Sequence, residues 1–399
     1  MFETLKAVPP DPILGLTEAF KRDPNPRKVN LGAGIYKDEQ GRVPVLASVR
    51  EAETRLLREE EGKAYLPIDG LPQFREVARD LLLSREHPVI RDERVVTVQA
   101  PGGTGALRIA ADFLRRVAPE ATVWMSDPTW PNHPNVFRAA GFRVAFYPYL
   151  DPQRLVVDEA RFLDALARIP AGDVLLLHGC CHNPTGADLS PEAWEVIAER
   201  VVQQGVLPLV DFAYQGFGDD LVQDAWGVRR LASQVPELLV ATSFSKNFSL
   251  YSERVGALTL IARDKTSAHV AHGHLKQVIR TNYSNPPAHG ARIVASVLGD
   301  SQLRPLWEEE LAGMRERIRG MREAFVDRLH AAGAPRDFSF LLQQKGMFSY
   351  TGLTPEQVDM LRERYAIYMV RSGRINVAGL TPKNVEYVAQ AVASVLQGG

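Results

Sequence analysis

Between residues 94 and 261, short apolar segments alternate with longer amphipathic ones. The apolar segments are typical of buried strands. They are Arg94–Gln99, Thr122–Ser126, Arg143–Tyr147, Val174–Leu177, Leu207–Val210, Leu238–Ala241 and Ala257–Ile261. The segments predicted as helices between them include Gly102–Arg116, Asn135–Ala140, Asp158–Arg168 and Pro191–Gln204. This alternation predicts an α/β fold with a mostly parallel sheet that helices cover on both faces.

The pattern changes in the last third of the chain. The segment Leu303–Ala332 is long, charged and amphipathic, as expected of a helix that bridges two domains. It is followed by predicted short strands at Phe338–Leu342, Met347–Tyr350, Tyr368–Val370 and Ile375–Val377, with helices at Pro355–Tyr365 and Pro382–Leu396. We therefore expect an N-terminal arm (1–12), a large domain (46–313), and a smaller α+β domain formed by residues 13–45 and 314–399.

Composition excludes several classes of function. The 399 residues carry a net charge of −1, which indicates neither nucleic acid nor an anionic membrane as a partner. Cys180 and Cys181 are adjacent, which suits a reducing compartment better than a disulfide framework. The first residues have no secretory pattern, and no apolar run reaches transmembrane length. A cytoplasmic location is expected.

The stretch Ser243–Gly256 carries the strongest chemical signal. Its Lys246 lies among serines directly after a predicted buried strand. A lysine acts as an amine nucleophile at neutral pH when burial and a nearby cation lower its pKa. Two hydroxyls, from Ser243 and Ser245, and the Arg254 guanidinium suit one phosphate group. An imine-forming lysine beside a phosphate clamp suggests pyridoxal 5'-phosphate, whereas Lys246 taken alone would be an ordinary solvated residue.

A second candidate phosphate site is the glycine-rich turn 102–105, which includes Gly103 and Thr104. It connects a predicted strand to a predicted helix, so its free amides and the positive end of the helix dipole face one place. Dinucleotide binding would use a similar loop, but the spacing G-x-G-x-x-G is absent here.

Two further strand ends suggest contacts to a planar, cationic ring. Trp130 follows the strand Thr122–Ser126 and offers a flat face, although such a residue is more often part of the packing. Asp211 ends the apolar strand Leu207–Val210, where a carboxylate is costly unless it meets a cation. A protonated pyridine nitrogen is such a cation, and Tyr214 is close enough in sequence to reach the ring's phenolic oxygen.

The segment 178–186 contains two histidines and two cysteines. A zinc site is disfavoured because adjacent cysteines do not easily bind one tetrahedral ion and no second cluster exists. We predict no metal. Asn183 precedes a proline and is a candidate for a fixed, cis peptide.

Together these motifs resemble the fold-type I, class I pyridoxal-phosphate aminotransferases, in the aspartate/aromatic amino acid branch. The resemblance covers essentially the whole chain and implies a seven-stranded, mostly parallel sheet and a homodimer with shared active sites. The motifs that carry it are Cys180-Cys181-His182-Asn183-Pro184-Thr185-Gly186, Ala213-Tyr214-Gln215-Gly216-Phe217-Gly218, Ser243-Phe244-Ser245-Lys246-Asn247 and Arg280-Thr281-Asn282-Tyr283-Ser284-Asn285-Pro286-Pro287.

The resemblance also implies a role for each residue of the cofactor site. Lys246 binds the cofactor covalently and shuttles the proton. Asp211 pairs with the pyridine nitrogen, while Asn183 and Tyr214 bind the phenolic oxygen. Trp130 stacks on the ring. The phosphate is held by Gly103, Thr104, Ser243, Ser245, Arg254 and, from the neighbouring subunit, Tyr65.

The substrate would be held at both ends. Arg374, helped by the Gly34 backbone, binds its α-carboxylate, and Trp130 and Asn183 line the same side. Arg280 of the neighbouring subunit faces the second carboxylate of a dicarboxylic substrate. His133 and His178 are expected behind Asp211. The implied reaction is ping-pong transfer of an amino group to 2-oxoglutarate.

The preferred amino donor stays open between aspartate and the aromatic amino acids phenylalanine and tyrosine. Lys37, Thr104 and Asn285 are similar to the aspartate branch, whereas Val43 is similar to the aromatic branch. The alternatives are a strict aspartate aminotransferase, another pyridoxal enzyme such as a β-lyase or decarboxylase, and a non-catalytic binding protein on the same fold. Arg280 argues against the β-lyase or decarboxylase, and the intact Lys246 against the binding protein. Ser249 and Ser252 depart from the family pattern in a loop only.

Overall fold

A computed structural model describes residues 2–7, 14–59 and 62–398. Its centre is a seven-stranded sheet in the order β2-β8-β7-β6-β5-β3-β4. The strands are β2 (Val95–Pro101), β3 (Thr122–Asp127), β4 (Arg143–Pro148), β5 (Val174–His178), β6 (Leu207–Phe212), β7 (Leu238–Ser243) and β8 (Val255–Ile261). Each of the seven predicted strands is present, so the predicted α/β class is confirmed.

The sheet is parallel except at one strand. β3 to β7 pair in parallel with their neighbours, whereas β8 runs antiparallel to both β7 and β2. The parallel strands are separated by helices, as crossover connections require. Residues 244–254 join β7 to β8 and contain no helix. The chain therefore reverses direction after β7 and returns as β8 beside it. Lys246 lies in this return.

Helices surround the sheet. They are α1 (Leu14–Arg22), α2 (Ala47–Glu59), α3 (Pro72–Leu83), α4 (Pro88–Arg91), α5 (Gly102–Val117), α6 (Asn132–Ala139), α7 (Glu159–Leu166), α8 (Pro191–Gln204), α9 (Trp226–Gln234), α10 (Lys265–Asn282), α11 (His289–Gly299), α12 (Leu303–Ala331), α13 (Pro355–Tyr365) and α14 (Val385–Gln397). Two buried apolar clusters pack around the sheet, and strands β5 and β7 contribute to both. No helix in the described parts of the chain is long and apolar enough to cross a membrane.

The two ends of the chain meet in a second region. Strand β1 (Val29–Asn30) pairs in parallel with β10 (Ile367–Tyr368), and β9 (Phe348–Tyr350) pairs antiparallel with β11 (Arg374–Asn376). The 29-residue helix α12 leads into this region. This arrangement joins the N-terminal segment to the C-terminal one, as the predicted small domain requires. The domain boundaries themselves stay a prediction.

One predicted strand is wrong. The segment Phe338–Leu342 contains a 3-10 helix at Ser339–Gln343 instead. The carboxylate of Asp337 accepts hydrogen bonds from the Ser339 backbone N–H at 2.8 Å and hydroxyl at 2.6 Å. Such local bonds favour a turn over a strand ladder. Of the predicted arm, residues 1 and 8–12 lie outside the described residues, and Phe2–Thr4 form a 3-10 helix.

Candidate active site

A cavity of about 420 Å³ opens at the carboxyl ends of the central parallel strands. This is the place where open α/β sheets bind ligands. The cavity brings together most of the predicted site residues, from segments far apart in sequence. They are Gly34, Gly103, Thr104, Trp130, Asn183, Asp211, Tyr214, Ser243, Ser245, Lys246, Arg254 and Arg374.

Lys246 lies in the return between β7 and β8, and its amine faces the cavity. Burial lowers the pKa of this amine from 10.5 to about 8, although the carboxylate of Asp211 opposes the shift and the Arg254 guanidinium adds to it. Its Nζ lies 4.9 Å from the ring centroid of Tyr214. A substantial fraction of Lys246 is therefore neutral, and nucleophilic, near physiological pH.

Asp211 faces the same cavity from the end of β6. Its Oδ2 lies 2.8 Å from His133 Nε2, and the other ring nitrogen of this fully buried histidine lies 2.8 Å from Thr129 Oγ1. Burial is the largest single influence and would raise the pKa of the Asp211 carboxyl, but the hydrogen bond with His133 and the electrostatic interactions with nearby groups, including Lys246, together hold the pKa below its ordinary value. The carboxylate is thus ionised and available to a cationic ring nitrogen.

Two more histidines lie behind this pair. Burial lowers the pKa of His178 to about 3 and that of His182 well below its ordinary value, so both are neutral. The ring of His178 is tilted against that of His133, with centroids 5.1 Å apart. His182 is fixed by Ser126 Oγ at 2.9 Å and Thr185 Oγ1 at 2.8 Å. The predicted place of His133 and His178 near Asp211 matches this arrangement.

The residues predicted to hold a phosphate form one cradle at the start of α5. Gly102 has φ +74°, and a Cβ there would approach Arg254 Nη2 to 2.4 Å. A Cβ on Gly103 would lie 3.2 Å from the Cβ of Ser243. The absence of a side chain at Gly102 and at Gly103 therefore lets the backbone of the turn approach the Arg254 guanidinium and Ser243 closely. Donors of this kind around one small space fit a phosphate group.

Arg374 occupies the side of the cavity towards the C-terminal region. The guanidinium donates to Gly32 O at 2.7 Å and to Asn183 Oδ1 at 3.1 Å, and it lies 4.2 Å from the ring centroid of Phe348. Its Nε is buried and has no hydrogen-bond partner among the residues that the structure describes. Burial lowers the pKa of Arg374 to about 10, so it stays charged at neutral pH. A buried cation without a carboxylate partner is suited to an anionic ligand.

Sequence reasoning did not single out four residues that line the cavity. They are Leu107, Ala213, Tyr251 and Phe348. The hydroxyl of Tyr251 accepts a hydrogen bond from the Tyr36 backbone N–H at 2.8 Å, and its backbone carbonyl accepts one from Arg254 Nη1 at 3.1 Å. Tyr251 stands five residues after Lys246 in the same motif, which was a usable signal. Phe348 has no such signal in the sequence, because it reaches the cavity only through the packing of β9 beneath Arg374.

Tyr65 and Arg280 do not reach the cavity of their own chain. The side chain of Tyr65 is 91% exposed, and Arg280, also exposed, donates from Nη1 to Ser284 Oγ at 2.5 Å. We call residues 64–71 the Tyr65 loop and residues 280–287 the Arg280 segment. Their place on the surface is what a contribution to another subunit's site requires, and that contribution stays a prediction.

A possible metal site lies outside this cavity. Ligand atoms of Cys180, Cys181 and Asp224 lie within 4.8 Å of one another. The Asp224 carboxylate already accepts three backbone hydrogen bonds, from Gly216, Gly218 and Asp219, at 2.8 to 2.9 Å. Burial raises the pKa of both thiols, which disfavours the thiolate that a metal needs. The predicted absence of a metal stays a prediction.

Comparison with known proteins identifies the family. A sequence model described as "Aminotransferase class I and II" matches residues 26–392. The chain belongs to this aminotransferase family. The membership confirms the predicted family and the predicted transaminase activity.

Individual relatives align with this aminotransferase over nearly their full length. The aspartate aminotransferase of Salmonella typhi is 53% identical over 99% of this chain and 100% of its own. The aromatic-amino-acid aminotransferase of Escherichia coli (strain K12) is 47% identical over 99% and 100%, respectively. A solved aromatic-amino-acid aminotransferase from Burkholderia pseudomallei, described as covalently bound to pyridoxal phosphate, superposes with a TM-score of 0.97 at 50% identity over 99% of both chains.

Proposed function

We propose that this aminotransferase moves the amino group of aspartate, phenylalanine or tyrosine to 2-oxoglutarate by a ping-pong mechanism. Full-length relatives named for aspartate and for aromatic amino acids support both donor classes. The observation that carries the proposal is the cavity in which Lys246, Asp211 and Arg374 face one space. These side chains supply a nucleophile, a counter-ion for a ring nitrogen, and a cation for a substrate carboxylate.

The predicted cofactor, pyridoxal phosphate, is confirmed by the family and by a relative that carries it. When bound, it supplies an aldehyde for the amine of Lys246 and a ring that accepts electrons. The glycine turn, Ser243, Ser245 and Arg254 would hold its phosphate, and Asp211 would pair with its ring nitrogen. Asn183 and Tyr214 would face its phenolic oxygen, and Trp130 its ring. The depressed pKa of the Lys246 amine, about 8, is what the covalent attachment requires.

The residues around the cavity have different roles in the proposed reaction. With the cofactor bound, the neutral amine of Lys246 would be placed to accept the proton of the substrate's Cα and to hold it at Nζ for return in a later step. Arg374 fixes the carboxylate, so that the Cα–H bond is held towards this base. His133 keeps Asp211 ionised and oriented. The same residues serve both half-reactions, which is why ping-pong kinetics are expected.

A spectroscopic titration tests the proposed function. The visible absorbance band of the loaded enzyme is expected to shift when glutamate is added alone and to return when 2-oxoglutarate follows. Release of one oxo acid before the second is supplied would demonstrate the half-reactions directly. A protein that binds amino acids without catalysis would give no oxo acid, and a β-lyase or decarboxylase would release ammonia or carbon dioxide instead.

We further propose a homodimer with shared sites, located in the cytoplasm. The exposure of Tyr65 and Arg280, together with their absence from the cavity of their own chain, supports this arrangement. In each dimer, Tyr65 would reach the phosphate of the other subunit and Arg280 the second carboxylate of its substrate. The division into a large domain (46–313) and a small domain (13–45 and 314–399) belongs to the same proposal.

Mixed dimers test the shared site. A Lys246→Ala chain and an Arg280→Ala chain are each expected to be nearly inactive towards aspartate as homodimers. A dimer with one chain of each kind is expected to recover about half the turnover of the wild-type dimer. One of its two sites combines the intact Lys246 of one chain with the intact Arg280 of the other. Differently tagged chains allow the mixed dimer to be isolated before assay. No recovery after confirmed subunit exchange would indicate that each site is built from one chain.

Substitution of Arg280 tests the substrate assignment. The Arg280→Leu variant is expected to lose about 10²-fold or more in kcat/KM for aspartate and glutamate, because their second carboxylate is left without a charged partner. Phenylalanine and tyrosine are expected to lose much less. Steady-state kinetics with the four donors measure the difference.

An exposed arginine elsewhere provides the control. Arg91→Leu removes a guanidinium whose salt bridge among the described residues is with the neighbouring Asp92, and all four substrates are expected to react normally. An equal loss for both classes in Arg280→Leu would show that Arg280 is structural. A wild-type enzyme that turns over no aromatic substrate would reduce the proposal to a strict aspartate aminotransferase.

A further inference from the structure

Gln99 is a buried polar residue that the reaction does not use. It lies on β2, only 1% exposed, three residues before the glycine turn, and it is not among the residues that line the cavity. A buried amide is expected to satisfy both its acceptor and its donors. The partners of Gln99 come from two different surface segments, the Tyr65 loop and the Arg280 segment.

On one side, Gln99 holds the Tyr65 loop. Its Oε1 accepts a hydrogen bond from the Leu71 backbone N–H at 3.0 Å, and its own backbone N–H donates to Asp69 O at 2.9 Å. Gly70, between these two residues, has φ +94°, and a Cβ there would approach the Cβ of Gln99 to 2.2 Å. The loop therefore closes directly on this side chain, and only glycine permits the approach.

On the other side, Gln99 holds the Arg280 segment. Its Nε2 donates to Pro287 O at 2.6 Å, and its backbone carbonyl accepts from the Tyr283 hydroxyl at 3.2 Å. The two segments also contact each other, because Asn285 Nδ2 donates to Leu66 O at 3.0 Å. One side chain thus bonds both segments at once.

A buried carboxylate makes a second connection between the same elements. Asp69, in the Tyr65 loop, lies 2.9 Å from His272 Nε2 and 3.6 Å from Lys276 Nζ, both on α10, the helix whose last turn carries Arg280. It also pairs with Arg75 on α3 at 2.5 Å. The loop is therefore fixed to the middle of α10 as well as to the Arg280 segment at its end.

We propose that Gln99 is a positioning residue that holds Tyr65 and Arg280 as one rigid unit, which each chain presents to the cavity of its partner. This inference rests on the shared site proposed above. Gln99 of one chain would thus act in trans, which means that it affects the active site of the partner chain. This is so although Gln99 precedes the glycine turn that faces the cavity of its own chain. Substrates with a second carboxylate depend on it most, because they use Arg280.

Single-site mixed dimers test this direction of action. In the trans arrangement, Gln99→Leu is placed in the same chain as Lys246→Ala, and the partner is otherwise wild type. The one site that retains Lys246 then receives Tyr65 and Arg280 from the altered chain. In the cis arrangement, Gln99→Leu is placed in the chain that retains Lys246, and the Lys246→Ala partner supplies intact segments.

We expect a loss of about 10- to 100-fold in kcat/KM for aspartate in the trans arrangement, since displacement of a binding group by 1 Å can have an effect of that size. The loss is expected chiefly in KM, and phenylalanine is expected to lose less. The cis arrangement is expected to remain within about twofold of the single-site dimer without Gln99→Leu. Equal losses, a loss only in cis, or no loss in either would overturn the inference.

Further variants separate the possible failures. Gln99→Glu keeps the size of the side chain but removes the donor to Pro287, and it is expected to give the same trans-specific loss. It replaces Gln99→Leu in the test should that variant not fold. Gln344→Leu removes another buried amide, outside both segments, and no trans-specific loss is expected. Arg280→Ala in the same two arrangements tests the shared site itself. If Arg280→Ala acts in trans and Gln99→Leu does not, the Gln99 inference fails and the proposed function stands.

Discussion

The Lys246→Ala variant is expected to lose transamination by about 10⁴-fold or more. General base catalysis alone contributes about 10²- to 10⁴-fold, and the covalent attachment of the cofactor is lost at the same time. The other donors of the cavity, Ser243, Ser245 and Arg254, are unchanged, so the cofactor is expected to bind without a covalent bond. Turnover assays, together with borohydride trapping followed by mass spectrometry, measure both effects.

Lys265→Ala is the matched control for this experiment. Lys265 is exposed at the start of α10 and pairs with Glu93 at 2.7 Å. It lies at the end of the sheet opposite to the carboxyl ends of the parallel strands, and therefore far from the cavity. Its variant is expected to keep wild-type turnover and covalent trapping. Turnover near the wild-type value in Lys246→Ala would contradict the central claim, since no other lysine of the described residues lines the cavity.

The second large effect is expected at Asp211. Asp211→Asn keeps the shape and a hydrogen-bond acceptor for His133 but removes the charge that we propose stabilises a protonated ring nitrogen. Loss of one such electrostatic contact in a closed site is expected to cost about 10²- to 10³-fold in the chemical step, and Asp211→Ala at least as much. Exchange of the substrate's Cα hydrogen with solvent deuterium, followed by NMR, reports this step directly.

A slower hydrogen exchange reports on the role of Asp211 only if the Asp211 variants are folded. Thermal unfolding and cofactor content provide that check, and binding of a dicarboxylate through Arg374 is expected to persist. Wild-type exchange rates in either variant would show that a group other than Asp211 keeps the ring nitrogen protonated. A loss seen only in binding, with unchanged exchange at saturation, would contradict the proposed role equally.

The sequence predicted those parts of the site that follow the end of a strand. Asp211, Ser243 and the glycine turn each stand where a predicted strand gives way to a loop, and parallel strands bring such places together. The α/β pattern was predictable for the same reason, since β5, β6 and β7 are nearly continuous apolar runs.

Other features depend on contacts that no local pattern encodes. Phe348 reaches the cavity only because β9 packs beneath Arg374, and the joint contacts of Gln99 require three distant segments to be in place. The 3-10 helix at Ser339–Gln343 was missed because the hydrogen bonds to Asp337 prevail over an apolar run that is typical of a strand. Local propensity is a weak guide where such bonds are available.

The bond between Arg374 and Gly32 has a consequence for biosynthesis, because its partners stand 342 positions apart. Ribosomes add about 5–20 residues per second, so roughly 17–70 s separate the appearance of the two residues. For nearly all of that interval β1 has no β10 to pair with, and the carboxylate site that we propose at Arg374 is incomplete. The large sheet can form and bury its apolar strands first, whereas recognition of amino acids begins only when translation is nearly finished.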